Sequence, residues 1–574
     1  MAAQYETITL GISDLDRIKL PKFQRGFVWN NAKKNEFVQT LHNGFPFGAL
    51  LVYPETQAAN SKLLLLDGQQ RLSTIQQYSK NPLRFWKPNN QEKYHRFLDE
   101  INFMLDQDNL LDEKHFDRLV DKTDDLADWA DDVLEDSEAR KKARNLVKEL
   151  QREVAEYVDL ESLGILAIKF IGNKDRIADV FANLNKGGMP LSKYEIFGAA
   201  WVNTEISLLP AGESEQQDDI LSLVKSYYLD MEINAEFDLN DFSEDELNRN
   251  RTITLSEFGT ALGAYVQSKL PALVPPSASA KNEIGFGLLG VVTGIDNRQL
   301  NLLINKVDYI KENLQLILDK TQRICSDLQS TFSKLVNRIT AGKDADYMLG
   351  LTSSFKTLSY IAALWDLGFE SQEYIETVRN IPAYYVFDFW SKVWTSHGDQ
   401  RLIDYYPKSG VRSYANKLEY EQMMDAYRQW AADTTPGINF SKEAKALTTI
   451  HANLSYLSSA VPHGETLELE HIIAKKHIKE VDNQGAKQIF GGSLGNCMYL
   501  PRQENNKKKD KNLYEVNDDG RYDKLMRESL YHSKEDFKAI ERALDSHDFD
   551  AVNTFISARG ERVAESITKK LLQN

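Results

Sequence analysis

The sequence has very little cysteine: of its 574 residues only Cys325 and Cys497 carry a thiol. Two cysteines are too few for a disulfide framework or a cysteine-based metal site. No apolar run approaches the roughly 20 residues that a membrane-spanning helix needs. The first residues also lack the basic-then-apolar pattern of a secretion signal. We therefore expect a cytoplasmic protein with no membrane partner.

Basic residues are outnumbered: 69 Lys and Arg stand against 85 Asp and Glu, which gives a net charge of −16. This balance argues against indiscriminate coating of nucleic acid, although it leaves room for a local basic groove. The sequence shows no internal repeat, no low-complexity tract and no glycine-rich loop of the usual NTPase type. A hydrophobic content of 42% is ample for packed cores, and the length predicts several domains.

The most informative stretch lies at residues 63–78, where a strand gives way to a helix. The four leucines at 63–66 are typical of a short strand buried on both faces. Asp67-Gly68 is a turn dipeptide that ends the strand. Leu72 and Ile75 then recur at helical spacing. The pattern predicts a strand, a tight turn and a helix in close succession.

Gln69, Gln70 and Arg71 lie at this strand-to-helix junction. The first amides of a helix have no partner within the helix and carry partial positive charge, so the place favours anions. Arg71 adds a planar fork of donors suited to phosphate, and Asp67 offers a carboxylate to a metal or a water. The plainer alternative is a simple turn followed by a surface charge.

Together with two other segments, the stretch Asp67-Gly-Gln-Gln-Arg71 resembles the N-terminal domain of GmrSD-type restriction enzymes, a domain related to the ParB and sulfiredoxin folds. Residues 21–29 (PKFQRGFVW) resemble the early segment of that domain. Residues 181–195 (FANLNKGGMPLSKYE) resemble its closing segment. Three motifs in the right order make a specific match, whereas each alone would be weak.

The resemblance implies a nucleoside triphosphate pocket, in which Asp67 takes part in hydrolysis. Its residues would be Asp67, Gly68, Gln69, Gln70, Arg71, Asn185 and Lys186. Turn chemistry alone accounts equally well for Asn185 and Lys186, because the two glycines that follow them can adopt positive φ.

The early segment supplies candidates for sensing DNA: Gln24, Arg25 and Trp29. The aromatic side chains of this segment, Trp29 included, fit a hydrophobic core better than a base-stacking platform. Gln24 and Arg25 stand between aromatic residues, and burying such polar groups requires partners. They are therefore the harder pair to explain as packing alone.

A second motif lies near the C-terminus, where residues 467–477 (LELEHIIAKKH) precede residues 494–511. The order of acid, histidine, asparagine and a second asparagine resembles the HNH nuclease motif, in the version fused behind GmrS-like domains. The match covers about residues 445–574. It implies that His471 accepts the proton of the attacking water. Glu470 and Asn505 would hold Mg²⁺ or Mn²⁺ through hard oxygen ligands.

Asn496 is a further candidate for the catalytic set, with two interpretations: it either fixes His471 or pins the loop through side-chain hydrogen bonds. Neighbouring residues on a regular strand face opposite sides, so Glu470 and His471 share a metal site only if the strand ends or bulges there. His477 is either a substitute ligand or a solvated helix residue. Lys507–Lys509 and Lys511 either meet phosphates or form an ordinary solvated face.

These observations predict a mixed α and β fold in three parts. Residues 1–209 would form a ParB/sulfiredoxin-like N-terminal domain with a helical insertion at about 91–157. Residues 210–444 would form an all-α middle region, in which residues 303–317 repeat apolar positions at the spacing of an amphipathic helix. Residues 445–574 would form a C-terminal ββα-metal (HNH) domain.

The function that follows from the resemblance is a nucleotide-regulated, metal-dependent DNA endonuclease or nickase that resembles type IV restriction of modified phage DNA. A homo-oligomer is compatible with the sequence. One alternative is a nucleotide-responsive DNA-binding regulator or scaffold with an inactive nuclease domain. Another is an RNase or a toxin that acts on host nucleic acid, since the motif does not separate RNA from DNA.

Overall fold

The computed structural model describes residues 5–19, 29, 31–54, 56, 61–172, 201, 204–235, 244–338, 346–408, 410–461, 466–480, 485–517 and 519–573. The chain divides into two units. The first unit comprises Met1–Asn203 and Lys225–Glu244, and the second comprises Thr204–Val224 and Asp245–Asn574.

The first unit contains a five-stranded mixed sheet. Its strands are β1 Tyr5–Leu10, β2 Ile18–Lys19, β3 Leu50–Pro54, β4 Leu63–Asp67 and β5 Ile165–Phe170. They lie in the order β1-β5-β3-β4-β2, with β1 and β5 antiparallel, β3 and β4 antiparallel, and the other two pairs parallel. All four leucines of β4 are buried, as their unbroken apolar run predicts.

Seven α-helices accompany this sheet in the described part of the first unit before residue 172. They are Asn31–His42, Gln69–Lys80, Leu83–Trp86, Gln91–Asn102, Glu113–Val120, Leu126–Val133 and Ser137–Ala155. The last four lie in the stretch expected to be a helical insertion. Their apolar sides, such as Phe97, Ile101, Phe116 and Leu150, are buried in the same core as the sheet.

The region after residue 204 is mostly helical. Its helices up to residue 460 are Glu215–Ala235, Glu244–Asn250, Leu255–Lys269, Ala278–Thr293, Val307–Glu312, Leu314–Val336, Ser354–Leu364, Gln372–Trp390, Gly398–Leu402, Tyr420–Ala432, Lys442–Leu454 and Leu457–Ala460. Three short strands depart from the all-α prediction for residues 210–444. They are β7 Thr252–Ile253, which pairs with β6 Ile206–Ser207, and the pair β8 Asn337–Arg338 with β9 Asp346–Tyr347. Within the described segments, no helix is long and apolar enough to cross a membrane.

The C-terminal part of the second unit has an antiparallel pair, β10 Leu467–His471 and β11 Cys497–Pro501. A helix, Arg502–Lys508, follows β11 directly. The remaining helices are Lys475–Glu480, Gly485–Gln488, Asp523–Glu528, Lys534–Asp545 and Phe549–Gln573. The boundary predicted between residues 444 and 445 falls inside the helix Lys442–Leu454.

Candidate functional site

The strand-to-helix junction of the first unit depends on Gly68, which has a left-handed φ of +101°. A Cβ at this position would lie 2.4 Å from Leu50 Cδ2, so both the backbone and the space require glycine. The helix Gln69–Lys80 begins at the next residue, and no side chain caps it. The partial positive charge at the start of this helix favours an anion.

The Arg71 guanidinium lies across the loop before β3. Its Nη2 donates to the Asp67 carboxylate at 3.1 Å and to the Ala49 carbonyl at 2.9 Å. A Cβ at Gly48 would lie 2.9 Å from Arg71 Nη1, so the close approach depends on this glycine. Arg71 therefore positions both the loop and Asp67, a role that the sequence did not indicate, while its buried Nε has no hydrogen-bond partner among the described residues.

Trp29 contacts the same strand-to-helix junction. Its backbone N–H donates to Gln70 Oε1 at 3.0 Å, and its ring packs against Phe37 with centroids 5.3 Å apart. The structure thus joins a candidate for DNA sensing to a candidate for nucleotide binding. Gln69 is largely buried beside them. The other candidates, Gln24, Arg25, Asn185 and Lys186, lie outside the described residues.

In the second unit the strand β10 keeps a regular register with β11 through His471, which pairs with Cys497. Side chains on a regular strand alternate, so Glu468 and Glu470 share one face and His471 takes the other. The side chains of Glu470 and His471 accordingly have different partners.

The face with the two carboxylates lies against the helix Arg502–Lys508. Glu470 Oε1 accepts a hydrogen bond from Lys508 Nζ at 2.6 Å. Glu468 accepts from Arg502 Nε at 2.7 Å and from Asn505 Nδ2 at 3.1 Å. These two donors lower the pKa of Glu468, whereas burial raises the pKa of Glu470 against the opposing effect of Lys508 and Asn505.

His471 is held on the opposite face by the segment before the motif. Its Nε2 lies 2.8 Å from the Ile438 carbonyl, and its ring stacks on Phe440 with centroids 3.8 Å apart. A carbonyl only accepts, so Nε2 carries the proton and Nδ1 is left as the base. Burial lowers the pKa of His471 to about 4, which keeps the imidazole neutral at pH 7.

Asn496 takes the loop-pinning role. It is fully buried, and its Oδ1 accepts from the Ile473 amide at 2.7 Å. Its Nδ2 donates to the carbonyls of Ile473 at 3.2 Å and Gly491 at 2.8 Å. These bonds fix the chain that follows β10 to the chain that precedes β11. His477 is exposed, and its Nε2 lies 2.8 Å from the Asp510 carbonyl.

Sequence reasoning missed Glu468 and the burial of Lys508. Glu468 stands two residues before Glu470, so strand alternation was the available signal. Lys508 was grouped with phosphate-facing lysines, yet its side chain is fully buried whereas that of Lys507 is 54% exposed. The signal was the helical spacing of three that places Lys508 on the face of Asn505.

The donor set of this face suits Mg²⁺ or Mn²⁺. Carboxylate and amide oxygens are the ligands these ions prefer, and Mg²⁺ usually binds through one or two carboxylates, with water and substrate phosphate completing the shell. The ammonium of Lys508 already supplies a positive charge beside the Glu470 carboxylate. Across the residues that the structure describes, no group of three or more His, Cys, Asp or Glu side chains could hold a metal ion. An ion bound here would therefore need water and substrate phosphate as further ligands.

The first part of the chain is similar to a domain of restriction endonucleases. Residues 8–202 match the family model described as the GmrSD restriction endonuclease, N-terminal domain. This match confirms that a GmrSD-type N-terminal domain was correctly predicted there. A search of the curated proteins found no match to the chain.

Proposed function

We propose that this chain is a metal-dependent DNA endonuclease of a restriction system, directed at modified phage DNA. The match of residues 8–202 to the GmrSD N-terminal domain carries the proposal. The strand pair β10–β11 and the helix Arg502–Lys508 support it, because they hold Glu470, Asn505 and a neutral histidine within one small region.

In the proposed reaction, Nδ1 of His471 takes the proton of the attacking water. The Ile438 carbonyl and the Phe440 ring keep the imidazole in one tautomer and one orientation. Glu470 and Asn505 would hold the divalent cation, which when bound would stabilise charge on the scissile phosphate and the leaving oxygen. Asn496 acts only by holding the loop.

In the first unit we propose a nucleoside triphosphate site at the uncapped start of the helix Gln69–Lys80. The amides of this turn and the Arg71 guanidinium would bind phosphate oxygens, and Asp67 would orient the water for hydrolysis. Asn185 and Lys186 would complete the pocket. Gln24, Arg25 and Trp29 would sense the DNA modification.

The test is nicking and linearisation of supercoiled plasmid by the purified full chain with Mg²⁺, Mn²⁺ or EDTA. His471→Ala should lower the rate by about 100-fold or more, the usual contribution of a general base. His115→Ala removes an exposed histidine of the first unit and serves as the matched control. Cleavage by a well-folded His471→Ala protein at the parent rate would refute the assignment.

Glu470→Ala and Asn505→Ala should weaken metal binding, so excess Mn²⁺ should restore part of their activity. Parallel reactions with single-stranded RNA distinguish a DNA nuclease from an RNase. Failure to cleave any nucleic acid with either metal would instead favour the regulator with a silent nuclease domain.

A further inference from the structure

Lys508 ends the helix that faces the two carboxylates of β10. It lies in a run of lysines at 507–509, but its side chain is fully buried, and Nζ lies 2.6 Å from Glu470 Oε1 and 3.4 Å from the His471 carbonyl. Glu470 is also nearly buried, with 13% of its side chain exposed. Lys508 is thus directed into the proposed metal site rather than toward solvent.

A buried ammonium is costly unless a paired charge compensates for its lost hydration, and Glu470 supplies that charge. The other carboxylate on this face, that of Glu468, is also paired with a cation, because Arg502 Nε lies 2.7 Å from its Oε1. That second pair is weaker, since the Arg502 side chain is 61% exposed and screened by water. The buried pair therefore determines whether Glu470 is available.

A divalent cation bound by Glu470 would lie beside the Lys508 ammonium, which already pairs with Oε1 of the same carboxylate. Like charges at this separation repel strongly in a water-poor site. The lysine side chain has a flexible four-carbon stem, so its head can move while the helix stays in place. A DNA phosphate beside the site would give the displaced ammonium a new anionic partner.

We infer that Lys508 is a positioning residue that occupies Glu470 in the metal-free protein and must leave it when the catalytic cation binds. The inference rests on the proposed nuclease function of this site. It implies that Lys508 weakens metal binding in the absence of DNA, and that DNA strengthens metal binding by drawing the ammonium onto a phosphate. Metal and DNA should therefore bind cooperatively.

The experiment measures Mn²⁺ affinity of the full chain by calorimetry or by electron paramagnetic resonance of free Mn²⁺, without nuclease turnover. Lys508→Met should bind Mn²⁺ at least about tenfold more tightly than the parent in the absence of DNA. Lys507→Met removes the exposed neighbour and should leave the affinity unchanged. Adding a DNA duplex in Ca²⁺-free buffer at 4 °C should tighten binding in the parent but not in Lys508→Met.

Two further variants keep the test decisive. Lys508→Gln retains a donor for Glu470 and replaces Lys508→Met if that protein does not fold, as judged by circular dichroism. Glu470→Gln should abolish Mn²⁺ binding and so locate the bound ion at this carboxylate. Binding that depends on Glu470 but is no tighter in the Lys508 variants would overturn this inference alone. Absence of Mn²⁺ binding in every protein would overturn the proposed metal site and this inference with it.

Discussion

Arg559 is a single buried residue that organises the loops around the candidate nuclease site. Its side chain is fully buried in the last helix, Phe549–Gln573, and burial lowers its pKa to about 10, so it stays charged at pH 7. It donates to five carbonyls, which belong to Leu494, Gly495, Cys497, Ser529 and Leu530. The first three carbonyls flank or belong to the turn that carries Asn496.

Replacing Arg559 by Met should lower the free energy of unfolding of the second unit by about 3 kcal/mol or more, because several buried carbonyls lose their donor. Urea denaturation followed by tryptophan fluorescence measures the change. Arg562→Met removes an exposed arginine three residues later and should change the stability little. Equal stabilities of the two variants would show that the carbonyls find other donors.

Two buried histidines predict how stability responds to acid. Burial lowers the pKa of His451 and of His532 to about 3. Below about pH 6.5 the unfolded chain takes up protons that the folded chain does not, so stability falls as the pH is lowered toward 3. Each histidine should make the free energy of unfolding about 2 kcal/mol lower at pH 5 than at pH 7.

The double variant His451→Gln/His532→Gln should therefore lose less stability between pH 7 and pH 5 than the parent. His547→Gln, at an exposed histidine, provides the control for the same measurement. An unchanged pH profile in the double variant would mean that other groups govern the acid response.

At the scale of elements, local patterns predicted the secondary structure at the first junction well. The strand, turn and helix predicted at residues 63–78 correspond to β4, Gly68 and the helix Gln69–Lys80. The amphipathic pattern at 303–317 placed its apolar residues correctly in the core, but the single helix it suggested is divided. Leu303 lies in a 3₁₀ helix, Leu300–Lys306, and Asn313 separates Val307–Glu312 from Leu314–Val336. The Asn313 side chain donates to the Tyr309 carbonyl at 2.8 Å, beside the bond from its own backbone N–H at 3.1 Å.

The chemistry of the second site was predicted only in part. Strand alternation indicated that Glu470 and His471 share a metal site only if β10 ends or bulges there. The strand ends at His471 without a bulge, and the side chains of the two residues have different partners. The contacts of Lys508 and of His471 with Ile438 and Phe440 depend on how helices and loops pack on the strand. Such contacts join residues more than thirty positions apart, and the strand or helix periodicity of a sequence relates only residues that are close along the chain.

The junction at Asp67–Arg71 gives a prediction for one element. Arg71→Ala should weaken triphosphate binding by about tenfold or more, since charge-assisted bonds to phosphate are lost. Asp67→Ala should reduce hydrolysis more than binding. Lys80→Ala changes the far end of the same helix and is the matched control. Titration with a fluorescent triphosphate and release of phosphate report the two quantities, and unchanged values in both variants would place the site elsewhere.

At the scale of the whole molecule, the account is one of a sensor and a cutter. An unregulated nuclease would damage the DNA of its own cell, and only the part after about residue 445 is assigned to cutting. We therefore expect the first unit to control the nuclease activity of the second. Modified DNA should stimulate triphosphate hydrolysis, and nucleotide should change the affinity for modified DNA, because coupling between bound ligands is reciprocal. Gln24→Ala or Trp29→Ala should weaken this response.

The most direct measurement is the cleavage rate of phage DNA with unmodified and with chemically modified bases, with and without each nucleoside triphosphate, at fixed Mg²⁺ and salt. The account predicts cleavage that requires the divalent cation, that is faster on at least one modified DNA, and that depends on a nucleotide. Cleavage that ignores both the nucleotide and the modification would contradict the sensor-and-cutter account and leave a plain nuclease.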